Sequence, residues 1–330
     1  MITIPKNRIN KIFNNLGSKR ILVVGDIMID EYLWGKVNRL SPEAPVPVVD
    51  VKNESLRFGG AANVALNLKT LGCIPIIIGI VGKDQMANSF LELMKKYGMN
   101  TEGIVTDEQR PTTVKTRIIG DNQHIARVDR EKIKYADGDM AQALKNRIST
   151  LLESSDAVIL QDYNKGVLSK DIIQMTLIQA AHQDKISAVD PKFMNFLEYR
   201  NATIFKPNIK ETAQALARAI NTEDEIKTAG KMLLDKLNTK NVLLTLGSRG
   251  MALFESNGSY SHVEARTREV ADVSGAGDTV ISTMTAAMAG GAEPREAATI
   301  SNYAAGIVCG EVGIVPIEAK KLIKELTAVA

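Results

Sequence analysis

The chain has 330 residues, 45% of them hydrophobic, enough to bury a large core in one domain or in a domain with a subdomain. Lys and Arg total 41 against 38 Asp and Glu, with the two signs interspersed, which disfavours a nucleic-acid partner. The longest uncharged apolar stretch, 73–82, is far short of the roughly 20 residues of a membrane helix, and "MITIPKNRINKIF" has no signal-peptide core.

Cys73 and Cys309 are the only cysteines, both in apolar surroundings, as expected of buried thiols in a reducing compartment. A cytoplasmic protein without a membrane span is the expectation.

In chain order, "RILVVGD" (20–26) is a continuous apolar run of the kind buried on both faces. "VPVVDV" (46–51) alternates instead, and a helix follows over 60–71. "IPIIIGIVG" (74–82) is a second buried run, with a helix over 86–97 after it. "TTVKTRIIG" (112–120) and "QHIARVD" (123–129) alternate and have no helix between them. Helices over 140–153 and 169–183 flank the buried run "DAVILQD" (156–162), and "ISAVDP" (186–191), "ATIFKPN" (202–208) and "NVLLTLG" (241–247) complete the series. This alternation predicts an α/β fold whose mostly parallel sheet is covered by helices on both sides. The alternating segments, about 32–51 and 111–129, predict a small β lid on a single domain of 1–330. The plainer reading of those segments is an ordinary edge hairpin.

Ligands of open α/β sheets sit at the carboxyl ends of the strands. The residues leaving the predicted strands are Asp26, the stretch 82–84, Asp162, the stretch 190–192, "KPNIKE" (206–211) and "TLGSRG" (245–250). One aspartate at such a place is an ordinary turn or cap, but here every exit is polar or glycine-rich.

The phrase "DVSGAGD" (272–278) precedes a small and apolar helical run. A helix N-terminus offers unpaired N–H groups and a partial positive charge, which makes it an anion site. Gly275, Ala276 and Gly277 have no bulk to keep a phosphate away from those groups. A carboxylate beside an anion is wasted on binding, so Asp278 reads as a proton acceptor for an attacking hydroxyl. A glycine turn followed by a helix-capping aspartate is the structural alternative. No G-x-x-x-x-G-K-[ST] is present, "GAGDTV" lacks the third glycine of the dinucleotide fingerprint, and His124, His182 and His262 match no zinc spacing.

"DVSGAGD" and "GGAANVALNLKTLG" (59–72) together resemble the two signatures of the ribokinase-like carbohydrate kinases, the phosphofructokinase-B type family. "GDIMIDEY", "SPEAPVPVV" (41–49), "TRIIGDNQHIARVD" (116–129) and "DPK" resemble, more narrowly, the heptose 7-phosphate kinases of lipopolysaccharide precursor synthesis.

The resemblance implies a ribokinase-like fold and phosphoryl transfer from ATP with Mg2+, and it leaves room for a monovalent cation. Asp278 would be the base, and Gly275, Ala276 and Gly277 the anion hole for the γ-phosphate. Asn208, Ile209, Lys210 and Glu211 would serve the nucleotide phosphates, Glu211 reaching magnesium mainly through water. Thr245, Gly247, Ser248 and Gly250 would border the nucleotide, with Asn302 near the adenine. Asp26, Asp30, Gly59, Gly60, Asn63 and Asp162 would meet the sugar, and Arg117, Arg127 and Lys165 its phosphate. Each of those three cations reads equally well as a solvated charge. The lid segments "VPVVDV" and "TTVKTRIIG" would leave an apolar face and unpaired strand edges, so a homodimer through the lid is expected.

Ser274 stands where Thr is commoner in the family, Ala87 where many relatives carry Gly, and Asp121 where a basic residue would help to bind a sugar phosphate. Some heptose kinases are fused to a nucleotidyltransferase domain with an H-x-G-H motif. That motif is absent here, so the expectation is a kinase alone, forming a sugar 1,7-bisphosphate. The other readings are a kinase of the same fold for another sugar, sugar phosphate or nucleoside, and a sugar sensor that has kept the fold.

Overall fold

In a computed structural model, which describes residues 2–121, 123–265 and 272–329, the six continuous apolar runs form neighbouring parallel strands of one sheet. The strands in chain order are β1 Arg20–Gly25, β2 Ile27–Leu40, β3 Pro47–Gly60, β4 Ile74–Gly82, β5 Ile104–Asp107, β6 Val114–Gly120, β7 Gln123–Arg130, β8 Ala157–Gln161, β9 Ile186–Asp190, β10 Ile204–Phe205, β11 Asn241–Thr245, β12 Met251–Glu255 and β13 Tyr260–Val263. The helices are α1 Lys6–Asn14, α2 Ala61–Leu71, α3 Gln85–Lys96, α4 Gly138–Glu153, α5 Lys170–His182, α6 Ile209–Ala215, α7 Glu223–Leu237, α8 Ala276–Ala289, α9 Pro294–Cys309 and α10 Ala319–Thr327. The main sheet runs β13-β12-β11-β10-β9-β8-β1-β4-β5, with β12 and β13 antiparallel at one edge.

Alternation along the buried strands assigns their side chains to two cores. Ile21 and Val23 of β1 join the core under α1, α2, α3, α8, α9 and α10, whereas Leu22 and Val24 join the core under α4, α5 and α7. Helix starts follow local capping chemistry. Asp84 accepts from the Ala87 amide at 2.9 Å, so the Ala87 departure leaves a regular helix start at α3. Asn208 and Glu211 form a reciprocal box at α6, and Thr222 with Glu225 does the same at α7. No helix among the described residues is long and apolar enough to cross a membrane.

The alternating segments form a separate four-stranded sheet in the order β3-β2-β6-β7. It is larger than the sequence predicts, because β2 and β3 pair from Ile27 with Gly60 outward to Leu40 with Pro47. The polar stretch "WGKVNRL" hides the outer half of β2 from a reading that looks for apolar runs. Asp121 has a left-handed φ of 50° and accepts from the Val37 amide at 3.2 Å, which makes it a turn residue of the β6–β7 hairpin. Its neighbour Asn122, within the "GDNQHI" phrase, lies outside the described residues.

Candidate active site

Helix α8 opens with Gly275 at φ 79°, a left-handed conformation that an L side chain resists, and a Cβ there would crowd the Asn63 amide at 3.1 Å. This turn brings Asp278 into a buried position, 3% exposed. Its Oδ2 accepts from Asn63 Nδ2 at 2.7 Å, and its Oδ1 from Gln161 Nε2 at 3.1 Å and Tyr163 Oη at 2.8 Å. Burial pushes the Asp278 carboxyl up to about 6, with the Asn63 and Tyr163 bonds opposing and the Asp190 charge assisting the rise.

Among the described residues the amides of Gly275, Gly277 and Asp278 have no hydrogen-bond partner, while that of Ala276 donates to Val273 O at 3.2 Å. Of the residues predicted to form an anion hole, Gly275 and Gly277 have open amides, whereas the Ala276 amide is taken up by the turn, and the Asp278 amide is open as well. A Cβ on Gly277 would stand 3.5 Å from Lys206 Nζ, so this cation lies beside the open amides. Lys206 is 3% exposed and pairs with Asp190 at 3.0 Å, and Asp190 also accepts from Gln161 at 3.1 Å. Lys192 pairs with Glu211 and lies 5.4 Å from the centroid of the Tyr163 ring. Gln161, Tyr163, Lys192 and Lys206 are the site residues that sequence reasoning left without a role, although all sit in or beside strand exits.

On the predicted nucleotide side, Asn208 and Thr245 form a bridge between neighbouring strand ends. Gly247 at φ 64° and Gly250 at φ 85° bend the chain between β11 and β12, with Ser248 exposed at the tip. Ile209 packs on the core and Lys210 is exposed. Both Glu211 oxygens are engaged, Oε2 by the Asn208 amide at 2.9 Å and Oε1 by Lys192. No group of three or more His, Cys, Asp or Glu among the described residues is placed to hold a metal. The Asn302 amide donates to Glu264 O at 2.9 Å, tying α9 to the exit of β13.

On the predicted sugar side, Asp30 is 2% exposed and paired with Arg117, and a Cβ on Gly59 would collide with its carboxylate. Gly60 holds φ 56° where a side chain would strike the Asp26 carbonyl. Two of the predicted residues, Asp26 and Asp162, are engaged by protein groups. Asp26 spends its oxygens on the Tyr163, Lys165 and Val167 amides at 2.8, 3.0 and 3.1 Å. Asp162 accepts from the Asn164 amide at 2.7 Å and Tyr199 Oη at 2.7 Å. Both carboxylates hold the 162–168 loop through amides and a hydroxyl near the strand exit.

The four-stranded sheet carries a charged network. Arg117 meets Asp30, Lys115 meets Asp129 at 2.9 Å and Glu131 at 3.4 Å, Lys165 meets Glu131 at 2.7 Å, and Arg127 meets Asp129 at 2.9 Å. Arg57 and Arg117 both stack on the Tyr32 ring, at 4.9 and 5.2 Å from its centroid. The three cations named from sequence thus fall in two contact groups, Arg127 and Lys165 linked through Asp129, Lys115 and Glu131, and Arg117 with Asp30, Tyr32 and Arg57, with Arg117 and Arg127 opposite each other in the β6–β7 register.

Burial, with the Asp162 charge, also raises Asp26 to about 6. For Asp26 and Asp278 the folded state then binds protons that the unfolded chain has released, so stability falls as pH rises from about 4 through 6. The fold should melt at higher temperature at pH 5 than at pH 7.5, and Asp278→Asn should reduce that difference. Melting curves of parent and variant at the two pH values check this, and a parent that melts lower at pH 5 contradicts it.

A family model described as pfkB family carbohydrate kinase matches residues 18–320. The bifunctional protein HldE of Desulfatibacillum aliphaticivorans is 41% identical over 309 residues, covering 94% of this chain and 63% of its own length. HldE of Methylobacillus flagellatus is 43% identical over 307 residues, with 93% and 63% covered. The chain therefore spans under two-thirds of the length of these relatives. Arabidopsis thaliana ribokinase complexed with ribose and ATP superposes with a TM-score of 0.75 at 20% identity, over 94% of this chain and 99% of that one. Escherichia coli phosphofructokinase-2 with substrates and products gives 0.77 at 16% identity over the same shares, 94% and 99%. At such identities the two structures show the ribokinase-like fold. The family match runs from residue 18 to residue 320 of 330, and the chain belongs to the pfkB family of carbohydrate kinases.

Proposed function

We propose that the chain transfers the γ-phosphate of ATP to the anomeric hydroxyl of D-glycero-D-manno-heptose 7-phosphate, giving the 1,7-bisphosphate. The observation that carries the kinase part is the buried Asp278 carboxylate standing beside open helix N-terminal amides. In this reading Asp278 accepts the proton of the attacking hydroxyl at Oδ2, which has one hydrogen bond and room for another. The amides of Gly275, Gly277 and Asp278, with Lys206, meet the charge on the transferring group.

ATP and Mg2+ are implied by the family. The open amides and the buried lysine fit a polyphosphate. The engaged Glu211 and the absence of a carboxylate cluster among the described residues fit a cation held by phosphate and water rather than by protein ligands. When bound, magnesium would neutralise charge on the nucleotide phosphates. The resemblance leaves room for a monovalent cation too, acting in the cytoplasm like the enzyme.

The sugar-phosphate part is supported by the lid network. Its five cations, Arg57, Lys115, Arg117, Arg127 and Lys165, stand against three carboxylates, Asp30, Asp129 and Glu131. Asp272 also acts on Arg117, so five cations stand against four carboxylates, and the remaining positive charge favours an anionic group on the substrate. ADP formation measured over a panel of sugars and sugar phosphates tests the reading. Heptose 7-phosphate should be the best acceptor, and faster turnover with ribose, a nucleoside or fructose 6-phosphate would transfer the assignment to that substrate.

We also propose a homodimer through the lid. Its outer edge carries Leu40, Val46, Val51 and Val128 at 64%, 51%, 41% and 55% exposure, and its edge strands β3 and β7 offer unpaired backbone. Light scattering at micromolar concentration should give twice the 35.9 kDa chain mass. A monomer there would refute it.

A further inference from the structure

We infer that Tyr163 is a positioning residue for this transfer, filling one oxygen of Asp278 so that the proton can be taken only at the other. The inference rests on the kinase reading for its chemistry. Tyr163 Oη and Gln161 Nε2 both donate to Asp278 Oδ1, at 2.8 and 3.1 Å, and so occupy both of its lone-pair directions. Asn63 takes one direction of Oδ2 at 2.7 Å and leaves the other open. A base with a single free acceptor direction admits one line of approach for a hydroxyl, and orientation of that kind contributes strongly to rate.

Tyr163 is itself fixed from two sides. Its own amide, with those of Lys165 and Val167, is held by the Asp26 carboxylate, and Lys192 stands over its ring at 5.4 Å. Asp26 thus reaches the base indirectly, through the loop that carries the phenol. The charged and polar groups facing Asp278 are Asn63 from α2, Gln161 at the end of β8, Asp190 at the end of β9, Lys192 just beyond it, and Lys206 after β10. Gln161 also holds Asp190, and the lysines are paired, so the phenol is the donor whose loss disturbs no second contact of this set.

Tyr163→Phe deletes one oxygen and no packing atom. A hydrogen bond to the charged form lowers a carboxyl pKa, so its loss should raise that of Asp278 and move the acid limb of kcat/KM up by about one pH unit. The 13C titration of the Asp278 carboxyl should move by the same amount, and it does not require turnover. Site-specific 3-fluorotyrosine at position 163, a stronger donor of nearly the same shape, should move both downward and serves if the Phe variant does not fold. Carboxyl titrations within about 0.2 unit of the parent in the folded variants overturn the inference. A shifted carboxyl in a protein that phosphorylates no sugar upholds the geometry while sinking the kinase reading, so the two failures are distinguishable.

Discussion

Asp278→Asn should lower turnover by about a hundredfold or more while ATP still binds. The substitution keeps the shape of the side chain and its place in the first turn of α8 but removes the group that can take a proton. Asn63, Gln161 and Tyr163 hold the carboxylate from three elements, so it has little freedom to be replaced by a neighbour. Asp190, a carboxylate whose charge acts on Asp278, is already committed to Lys206 and Gln161. Steady-state rates and a nucleotide-binding titration separate chemistry from binding. Retention of more than about a tenth of the parent activity would mean that Asp278 is not the base.

Removing Arg117 or Lys165 should cost roughly tenfold to a hundredfold in kcat/KM toward a heptose 7-phosphate, because a charge-assisted contact is worth about 1.5 to 3 kcal/mol. Arg127, with 58% of its side chain exposed and its charge facing Asp129, should matter much less. Arg117 and Lys165 side chains are only 14% and 16% exposed, where water screens a phosphate contact poorly. Arg117→Ala also leaves Asp30 buried without its partner, which by itself destabilises the lid. The diagnostic quantity is therefore the ratio of efficiencies on heptose 7-phosphate and free heptose, together with the slow background hydrolysis of ATP. A general loss that leaves this ratio unchanged would show a structural effect, not phosphate recognition.

The parallel sheet was legible because strands buried on both faces are nearly continuous apolar runs, as Ile21–Val24 of β1, the β4 strand, Ala157–Leu160 of β8 and Val242–Leu244 of β11 are. Strands β5, β12 and β13 escaped, since β5 and β13 are four-residue edge strands of mixed composition and β12 offers only the short run Met251–Phe254. The glycine-led start of α8 followed from local chemistry, which four consecutive residues carry, and the proposed role of Asp278 is read from the same residues. Side-chain direction at the other strand exits did not. Nothing in "RILVVGD" tells whether Asp26 points at a ligand or turns to three amides of the 163–167 loop, because that depends on a segment more than a hundred positions away. The same holds for Tyr163 and Lys206, whose meaning comes from the carboxylates that folding places beside them. For the lid cations, sequence supplied the charges but not their carboxylate partners, so the net balance of these groups appears only in three dimensions.

The most direct test of the sugar-phosphate kinase reading is a 31P NMR spectrum of the parent protein incubated with ATP, Mg2+ and heptose 7-phosphate. One new sugar phosphate resonance split by the anomeric proton, growing in step with ADP while the 7-phosphate signal persists, is the predicted result. Formation of ADP without a new anomeric phosphate, or phosphorylation of unphosphorylated heptose with equal efficiency, would contradict it.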